Sequence, residues 1–506
     1  MSEQTSPYES LLAHFREANS LGTTINVLAW DQETNLPPRG APLRADQIAA
    51  LSGLYHERRV DPRVGEWLQA CEEDRELLAD PAAAGNVRGF RHDYDRDVRV
   101  PGSLVRELAQ TAALAQQSWR DARERSDFAS FSPMLAKVFA LNLARAECLR
   151  ADASQSLYDA LMDAFEPGAT AATLEVVFRD LRAELAPLIA EIARVGNDAG
   201  VAIEHAPIPT ALQAELNREV AAAVGFDFQA GRLDVSTHPF CEGIGSGDTR
   251  LTTRYREDSF VDSLSSTLHE VGHGLYEQGL PKAEHPGQPL GSAASLGIHE
   301  SQSRMWENLV GRSRPFWDWA TPLAREKLGP VLDLYHPAAL YRGMNLVQPS
   351  LIRVEADEAT YNLHIMLRFD LERALLQGDL PVDDLPGAWN ERIKQDLGLD
   401  VPDDRRGCLQ DIHWSMGAVG YFPTYTLGNL YAAQLWDAIL RDIPDVEERI
   451  GRGEFAPLLG WLREKIHRLG RMYPAGELCE RATGKPLSAE PFVRHLSAKL
   501  RPLYGV

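Results

Sequence analysis

Hydrophobic residues recur three and four positions apart along most of the chain, which is the spacing of one face of an α-helix. The first such stretch runs from Tyr8 to about Leu28. Later stretches that are rich in Ala, Leu, Arg and Glu favour helix by composition as well. The further predicted helices cover residues 43–57, 101–125, 133–157, 172–195, 361–372, 430–441, 456–469 and 488–500. The pattern therefore predicts a mostly α-helical protein whose first 200 residues are almost wholly helical.

A different pattern occupies residues 232–255. Three helix-breaking glycines, Gly243, Gly245 and Gly247, are followed by threonines that favour β-structure. We expect a short β ribbon here, directly before the helix that follows it in the chain.

That next helix carries the strongest chemical signal in the sequence. Its apolar residues keep helical spacing up to Leu268, and His269-Glu270-Val271-Gly272-His273 then follows. Histidines four positions apart lie on one helical face and can direct both imidazoles at one metal ion. Glu270 lies beside such an ion, where a general base for the attacking water is needed. The segment predicts a zinc site on a helix.

Composition excludes several other classes of protein. The chain of 506 residues has a formal charge of −21, which argues against nucleic acid and anionic membranes as partners. Its five cysteines are dispersed and form no C-x-x-C pair, so we expect neither a disulfide framework nor a cysteine zinc site, and we infer a reducing cytoplasm. The N-terminus shows no secretory signal, and the uncharged segment 412–436 is interrupted by polar residues and is better explained as buried than as a membrane span.

Two histidines leave a tetrahedral zinc ion one protein ligand short. A metzincin would carry glycine and histidine where this chain has Tyr276 and Gly279, so that solution is excluded. Glu300 follows a glycine- and proline-containing loop that is long enough to fold back toward the histidines. We favour Glu300 over its neighbour His299 as the third ligand.

Six motifs occur in an order and at separations that resemble the carboxypeptidase Taq family of metallocarboxypeptidases. They are HPF at 238–240, DTRLT at 248–252, HEVGHG at 269–274, HESQ at 299–302, IRVEAD at 352–357 and GCLQDIHW at 407–414. Together with WDQET at 30–34 they extend the resemblance over essentially the whole chain.

The resemblance implies a cytosolic zinc exopeptidase that removes single residues from peptide C-termini with broad specificity. It also implies a helical, saddle-like, neurolysin-like body and a homodimer, with cobalt or manganese as possible replacements for zinc. The metal ligands become His269, His273 and Glu300, and Glu270 becomes the catalytic glutamate. We expect one domain over 1–506, with a helical part at 1–230, an active-site part at 231–430 and a helical closure at 431–506.

A carboxypeptidase must also stabilise an oxyanion and recognise a free carboxylate. His413, Tyr421 and Tyr425 can donate hydrogen bonds where negative charge develops. For the carboxylate an arginine is best suited, because its planar fork donates two parallel hydrogen bonds. Arg353, in a charge-rich segment interpreted as helical, is the first choice and Arg250 the second.

Two further motif residues complete the predicted site. His238 of the HPF run is assigned to substrate binding, and Asp411 is expected to orient a ligand or His413. Two other functions fit the metal motif: a zinc oligopeptidase or dipeptidyl carboxypeptidase, and a helical interaction protein with a vestigial motif.

Overall fold

The computed structural model of the chain describes residues 5–196, 207–333 and 335–506. Helices dominate these ranges, and the predicted mostly α-helical fold is confirmed. The prediction of nearly continuous helix over the first 200 residues is confirmed for residues 5–196, and residues 197–200 lie outside the described part. Residues 1–4, part of the N-terminus for which no secretory signal is expected, also lie outside the described part.

The helices are α1 (Pro7–Thr34), α2 (Ala41–Arg59), α3 (Pro62–Glu73), α4 (Pro81–Arg99), α5 (Gly102–Arg125), α6 (Phe128–Leu149), α7 (Leu157–Met162), α8 (Ala171–Val195), α9 (Thr210–Ala223), α10 (Phe260–Gly279), α11 (Leu296–Arg304), α12 (Arg314–Leu328), α13 (Pro337–Met344), α14 (Tyr361–Gln377), α15 (Leu385–Leu397), α16 (Pro423–Asp442), α17 (Val446–Gly451), α18 (Ala456–Lys465), α19 (Ala475–Thr483) and α20 (Glu490–Tyr504).

Both ends of helix α6 differ from the prediction for local physical reasons. Helix α6 begins five residues before Pro133, because the Asp127 side chain accepts a hydrogen bond from the Ser130 amide and caps an earlier start. It ends at Leu149 rather than near 157, since the backbone of Arg150 leaves the helical conformation. Arg353 lies in a short 3₁₀ turn, Arg353–Glu355, so the helical interpretation of that segment is wrong. The side chain of Gln410 holds this turn by accepting from the Arg353 amide and donating to the Leu351 carbonyl.

A small sheet precedes the motif helix, as predicted. Its strands are β1 (Gly231–Val235), β2 (Cys241–Gly245) and β3 (Asp248–Thr253), in the order β1-β3-β2. Strand β2 pairs antiparallel with β3, whereas β1 pairs parallel with it in the register Gly231↔Thr249 to Val235↔Thr253. The sheet is thus more than a ribbon of adjacent strands, because its central strand is the last of the three in the chain.

Helix α10 has a polar cap and an apolar buried face. Ser259 accepts a hydrogen bond from the Asp262 amide at its N-terminus. Phe260, Leu264 and Val271 are almost completely buried on the face that packs into the core. This burial anchors the helix and fixes the direction in which its histidines point.

Helix α11 crosses α10 at unusually close range. A Cβ atom on Gly272 would lie 2.4 Å from the carbonyl oxygen of Gln302 and 2.6 Å from the Cα of Ser303. Only glycine therefore allows this approach of the two backbones. The crossing brings Glu300 on α11 toward the histidines of α10.

The chain divides into two compact units. The first comprises residues 1–98, 201–344 and 432–486, and the second comprises residues 99–200, 345–431 and 487–506. The sheet, α10 and α11 belong to the first unit, and α14 and the Arg353 turn belong to the second. The single domain expected over 1–506 stays a prediction.

Among the described helices, none combines the length and the apolar composition needed to cross a lipid bilayer. Helix α16, which covers much of the uncharged segment 412–436, is instead largely buried in the protein, as the sequence predicts.

Candidate active site

His269, His273 and Glu300 converge in the first unit. Their nearest ligand atoms all lie within 4.8 Å of one another. Nε2 of His273 is 3.4 Å and Nε2 of His269 is 3.7 Å from the same oxygen, Oε2 of Glu300. Two imidazole nitrogens and one carboxylate oxygen are the donor set of catalytic zinc sites.

The other ring nitrogen of each histidine is already engaged. Nδ1 of His269 lies 2.9 Å from Oε2 of Glu307. Nδ1 of His273 lies 3.0 Å from the carbonyl oxygen of His299. Both partners are acceptors, so in the neutral form of each ring Nδ1 carries the proton and Nε2 has its lone pair available for a cation. The residues present therefore fit a divalent metal ion.

Charged neighbours hold the two glutamates in place. Arg304 donates from Nε to Oε1 of Glu300 at 2.8 Å and from Nη1 to Oε2 of Glu307 at 3.2 Å. Glu307 lies on a π-helical turn, Met305–Val310, that continues α11, and it also pairs with Arg312 at 3.5 Å. The wider turn carries Glu307 to His269 while Glu300 stays directed at both histidines.

Burial and charge act against each other at the three candidate ligands. Burial raises the pKa of Glu300, but Arg304 and the two histidines outweigh it and hold that pKa well below its usual range. Burial disfavours protonated His269, but Glu300 and Glu307 outweigh it and raise the pKa of His269 to about 9. Burial and the neighbouring His299 lower the pKa of His273 to about 4. The carboxylates that favour a positive charge on His269 would equally favour a metal cation.

Glu270 lies beside this cluster and differs from the other carboxylates. Burial is the main cause that raises its pKa to about 7, and the charge of Glu300 adds to the effect. Within the described part of the chain, its carboxylate has no hydrogen-bond partner. A buried carboxyl group with a pKa near neutrality is suited to accept and return a proton.

Arg353 is at the centre of a second cluster, in the second unit. Its Nε and Nη2 donate to Oδ1 of Asp411 at 3.0 and 2.8 Å, and its Nη1 donates to the Tyr361 hydroxyl at 2.9 Å. Arg368, which is fully buried, donates from Nε to Oδ2 of Asp411 at 2.6 Å. One carboxylate thus balances two guanidinium groups.

His413, Tyr421 and Tyr425 lie together in the same unit. Nε2 of His413 is 3.3 Å from the Tyr425 hydroxyl, and the two tyrosine rings are 5.4 Å apart. The Arg353 guanidinium lies over the Tyr425 ring at 5.2 Å. Burial lowers the pKa of His413 to about 4 against the opposing charge of Asp411, so the ring is neutral near pH 7. These four predicted residues are brought into one aromatic cluster.

Arg250 and His238 occupy other places in the first unit. Arg250, on β3, pairs with Asp248 at 2.8 Å and lies over the Trp30 ring at 4.3 Å. His238 is exposed, and its carbonyl oxygen accepts a hydrogen bond from Ser236 at 2.6 Å. These contacts are with residues of the sheet, of the turn after β1 and of helix α1 rather than with His269, His273 or Glu300.

Comparison with known proteins decides the family. Residues 10–500 match the carboxypeptidase Taq (M32) metallopeptidase family. This chain belongs to that family.

Relatives of the carboxypeptidase Taq family match this chain along its length. Thermostable carboxypeptidase 1 of Thermus thermophilus is 47% identical, over 98% of this chain and 99% of its own. Carboxypeptidase 1 of Bacillus subtilis is 35% identical, over 97% and 96%. The crystal structure of the M32 carboxypeptidase from Deinococcus radiodurans R1 superposes with a TM-score of 0.95 at 40% identity, covering 99% of this chain and all of that one. The chain is a metallocarboxypeptidase, and the resemblance inferred from its motifs is confirmed.

Several residues of this metallopeptidase site were missed at the sequence level. Glu307 contacts His269, and Oε1 of Glu277 lies 2.7 Å from Nε2 of His299. Glu277 follows His273 by four positions and so shares its helical face, which is a signal that could have revealed it. Glu307 follows Glu300 by seven positions, but the π-helical turn changes the face on which it lies, and no sequence pattern marks that turn.

Proposed function

We propose that this metallocarboxypeptidase uses one zinc ion, bound by His269, His273 and Glu300, to release single amino acids from peptides with a free C-terminus and with broad specificity. The observation that carries the proposal is the convergence of both Nε2 atoms on Oε2 of Glu300, with each Nδ1 already bound to an acceptor. The separate engagement of the Nδ1 atoms supports metal binding over a simple ion-pair network, because it leaves the Nε2 lone pairs unused.

Glu270 acts as the general acid and base. When bound, the metal supplies Lewis acidity at the scissile carbonyl and makes the attacking water more acidic. Glu270 accepts the proton from that water and returns it to the leaving amine, a task suited to its raised pKa. His413, Tyr421 and Tyr425 donate hydrogen bonds to the oxyanion, and the neutral ring of His413 retains a proton for this purpose.

Arg353 binds the free carboxylate of the substrate. Its contacts with Asp411 and Tyr361 use one N–H group each from Nε, Nη1 and Nη2. Arginine has five N–H groups, so one on each terminal nitrogen stays available for a bidentate pair with a carboxylate. Arg250 is the alternative anchor, and His238 contributes to the substrate site.

Metal identity, assembly and compartment belong to the same proposal. Nitrogen and carboxylate ligands in a three-residue set favour zinc, and cobalt or manganese can replace it. A homodimer and a cytoplasmic location follow from the family resemblance. The scattered cysteines, none of which is paired in the described part of the chain, agree with a reducing compartment.

A Glu270→Gln variant tests the assignment of metal and base. We expect the purified variant to retain one divalent ion per chain and to lose roughly 10²–10⁴-fold in kcat, which is the usual contribution of a positioned general base. Glu284→Gln, a change of the same kind at an exposed position, should retain both metal and activity. Loss of the ion from Glu270→Gln, or full activity in it, would contradict the assignment.

Peptides with amidated C-termini test the direction of cleavage. Wild-type protein should hydrolyse the free peptide and leave the amide almost untouched. In Arg353→Gln the preference for the free carboxylate should fall by roughly 10- to 100-fold, the value of a charge-assisted hydrogen bond. Rapid cleavage of amidated peptides by wild type would support an oligopeptidase instead.

A further inference from the structure

A chain of hydrogen bonds leads away from His273 on the side opposite Glu300. Nδ1 of His273 lies 2.6 Å from Nδ1 of His299, in addition to its contact with the His299 carbonyl. Nε2 of His299 lies 2.7 Å from Oε1 of Glu277. Oε2 of Glu277 in turn pairs with Nζ of Lys282, which also donates to the carbonyl oxygen of Gly243 at 3.2 Å.

Only one arrangement of protons satisfies this chain with both imidazoles neutral. Glu277 can only accept, so Nε2 of His299 carries the proton and its Nδ1 has the lone pair. That lone pair then accepts from Nδ1–H of His273, and Nε2 of His273 is left without a proton. This network and the carbonyl oxygen of His299 therefore favour the same tautomer of His273, the one that can bind a metal ion.

The end of this hydrogen-bond network that lies far from His273, at Glu277 and Lys282, is fixed by charge and by packing. Burial raises the pKa of Glu277, but Lys282 and His299 outweigh it and lower that pKa to about 2. A Cβ atom on Gly243 would lie 2.0 Å from Oε2 of Glu277, so strand β2 approaches the pair as closely as glycine permits. Glu277 and Lys282 also line a cavity of about 630 Å³, so this end of the hydrogen-bond network lies at solvent.

We infer that His299 and Glu277 are positioning residues that orient the His273 imidazole and hold it in its metal-binding tautomer. The inference rests on the proposed role of His273 as a ligand and extends it. His269 is held directly by a carboxylate, Glu307, whereas Nδ1 of His273 contacts both the carbonyl oxygen and the imidazole of His299, and Glu277 orients that imidazole. The two ligand histidines thus depend on different supports, and loss of the His299 imidazole removes one of the two contacts of His273 Nδ1 while the carbonyl contact stays.

Metal affinity measures this role directly. Zinc dissociation constants are to be determined by competition with a chromophoric chelator for wild type, His299→Ala, His299→Asn and Glu277→Gln. We expect His299→Ala to bind zinc roughly 10- to 100-fold more weakly, the usual effect of removing a group that orients a ligand. In His299→Asn the amide oxygen can replace the Nδ1 acceptor, so part of the affinity should return. Glu277→Gln retains an acceptor for His299 and should lose less than His299→Ala.

A matched control separates positioning from general stability. His285→Asn removes a histidine of similar burial, whose Nδ1 contacts Gln288 at 3.0 Å outside this chain of bonds. It should leave the zinc dissociation constant unchanged even if the metal-free protein becomes less stable. The visible absorption of cobalt-loaded protein should change in His299→Ala and stay as in wild type in His285→Asn, because it reports ligand geometry.

The outcomes of the affinity measurement are distinguishable. If wild type and His299→Ala bind zinc equally, within about twofold, the positioning role is wrong while the ligand assignment stands. If wild type itself binds no divalent metal, or if His273→Ala binds it as well as wild type, the proposed metal site is wrong. If His299→Ala fails to fold, the zinc dissociation constants of His299→Asn and Glu277→Gln still decide the question. Both variants should bind zinc more weakly than wild type, and unchanged affinity in both would overturn the inference.

Discussion

A single carboxylate oxygen of Asp411 accepts two hydrogen bonds from Arg353: Oδ1 accepts from Nε at 3.0 Å and from Nη2 at 2.8 Å. Its second oxygen is used by Arg368, which has no exposed surface. Burial opposes the negative charge, yet the two arginines outweigh it and hold the pKa of Asp411 well below its usual range. Asp411 therefore supplies the shared negative charge that balances two buried arginines, and it does more than lie beside His413.

Replacing Asp411 by asparagine should destabilise the protein strongly. The change leaves two buried guanidinium groups without their counter-charge, and breaking a buried ion pair in this way costs about 3–5 kcal/mol. Urea titration of the metal-free protein measures the loss. Asp403→Asn is the matched control, since its partner Arg406 is exposed and such pairs contribute about 0–1 kcal/mol. Equal losses in both variants would contradict the central role of Asp411.

The close crossing of α10 and α11 makes Gly272→Ala a second sensitive change. The new methyl group would meet backbone atoms of Gln302 and Ser303, which cannot move aside as a side chain can. We expect a loss of roughly 1–3 kcal/mol or more in stability, as for other overpacked interiors, and weaker zinc binding because Glu300 shifts with α11. Differential scanning calorimetry and chelator competition measure the two effects.

Gly460→Ala is the control for that change. Gly460 lies within α18, and a Cβ atom there would meet no atom within 4 Å. Alanine should stabilise this helix by about 0.5–1 kcal/mol, since glycine loses more backbone entropy on folding. If Gly272→Ala behaved like Gly460→Ala, the two backbones could not be in the close contact described.

Helix periodicity and motif spacing predicted the parts of this protein that depend on local sequence. The apolar face of α10 and the i,i+4 histidines are such features, and the loop before Glu300 indicated that its carboxylate could lie near these histidines, which is where the structure has it. The role of His299 was not predictable, because it depends on where α11 crosses α10. That crossing is a tertiary contact at Gly272, which sequence spacing alone does not reveal.

The Arg353 turn shows a second limit of sequence patterns. The charges in this segment favoured the prediction of a helix. The side chain of Gln410, which lies 57 positions further along the chain, instead holds a 3₁₀ turn by accepting one hydrogen bond from it and donating another to it. Asp357 then accepts hydrogen bonds from the amides of Ala359 and Thr360, directly before the next helix, α14, begins at Tyr361. Long-range contacts of this kind override local propensity.

Removal of the metal should lower the stability of the protein by a predictable amount. A ligand that binds only the folded chain adds about 4.1 kcal/mol when its free concentration is 1,000 times the dissociation constant. The melting temperature should therefore fall after dialysis against chelator and recover on addition of zinc. Glu300→Ala should show almost no such shift, whereas Glu270→Gln should keep it, because Glu270 is not a ligand. A full shift in Glu300→Ala would contradict its assignment.

Glu372 should make stability depend on pH. It lies buried on α14, where its carboxyl oxygens accept hydrogen bonds from Trp414 at 2.8 Å, Tyr158 at 2.8 Å and the Gly420 amide at 3.1 Å. Burial is the dominant cause and raises its pKa from 4.5 to about 7. Below pH 4.5 both the folded and the unfolded chain bind this proton. Between pH 4.5 and 7 only the folded chain keeps it, so the free energy of unfolding falls as pH rises through this window.

The contribution of Glu372 can be isolated by comparing wild type with Glu372→Gln, which has no proton to lose at this position. Relative to Glu372→Gln, the free energy of unfolding of wild type should fall by about 2.5 kcal/mol from pH 5 to pH 8. Tyr158→Phe removes one hydrogen bond that lowers the pKa of Glu372, so its stability should continue to fall to a higher pH than that of wild type. Urea titrations at constant ionic strength, with chelator present, provide the values. A difference between wild type and Glu372→Gln that stays constant over this range would mean that Glu372 is ionised in the folded protein throughout, and that its three hydrogen-bond donors offset the cost of burying its charge.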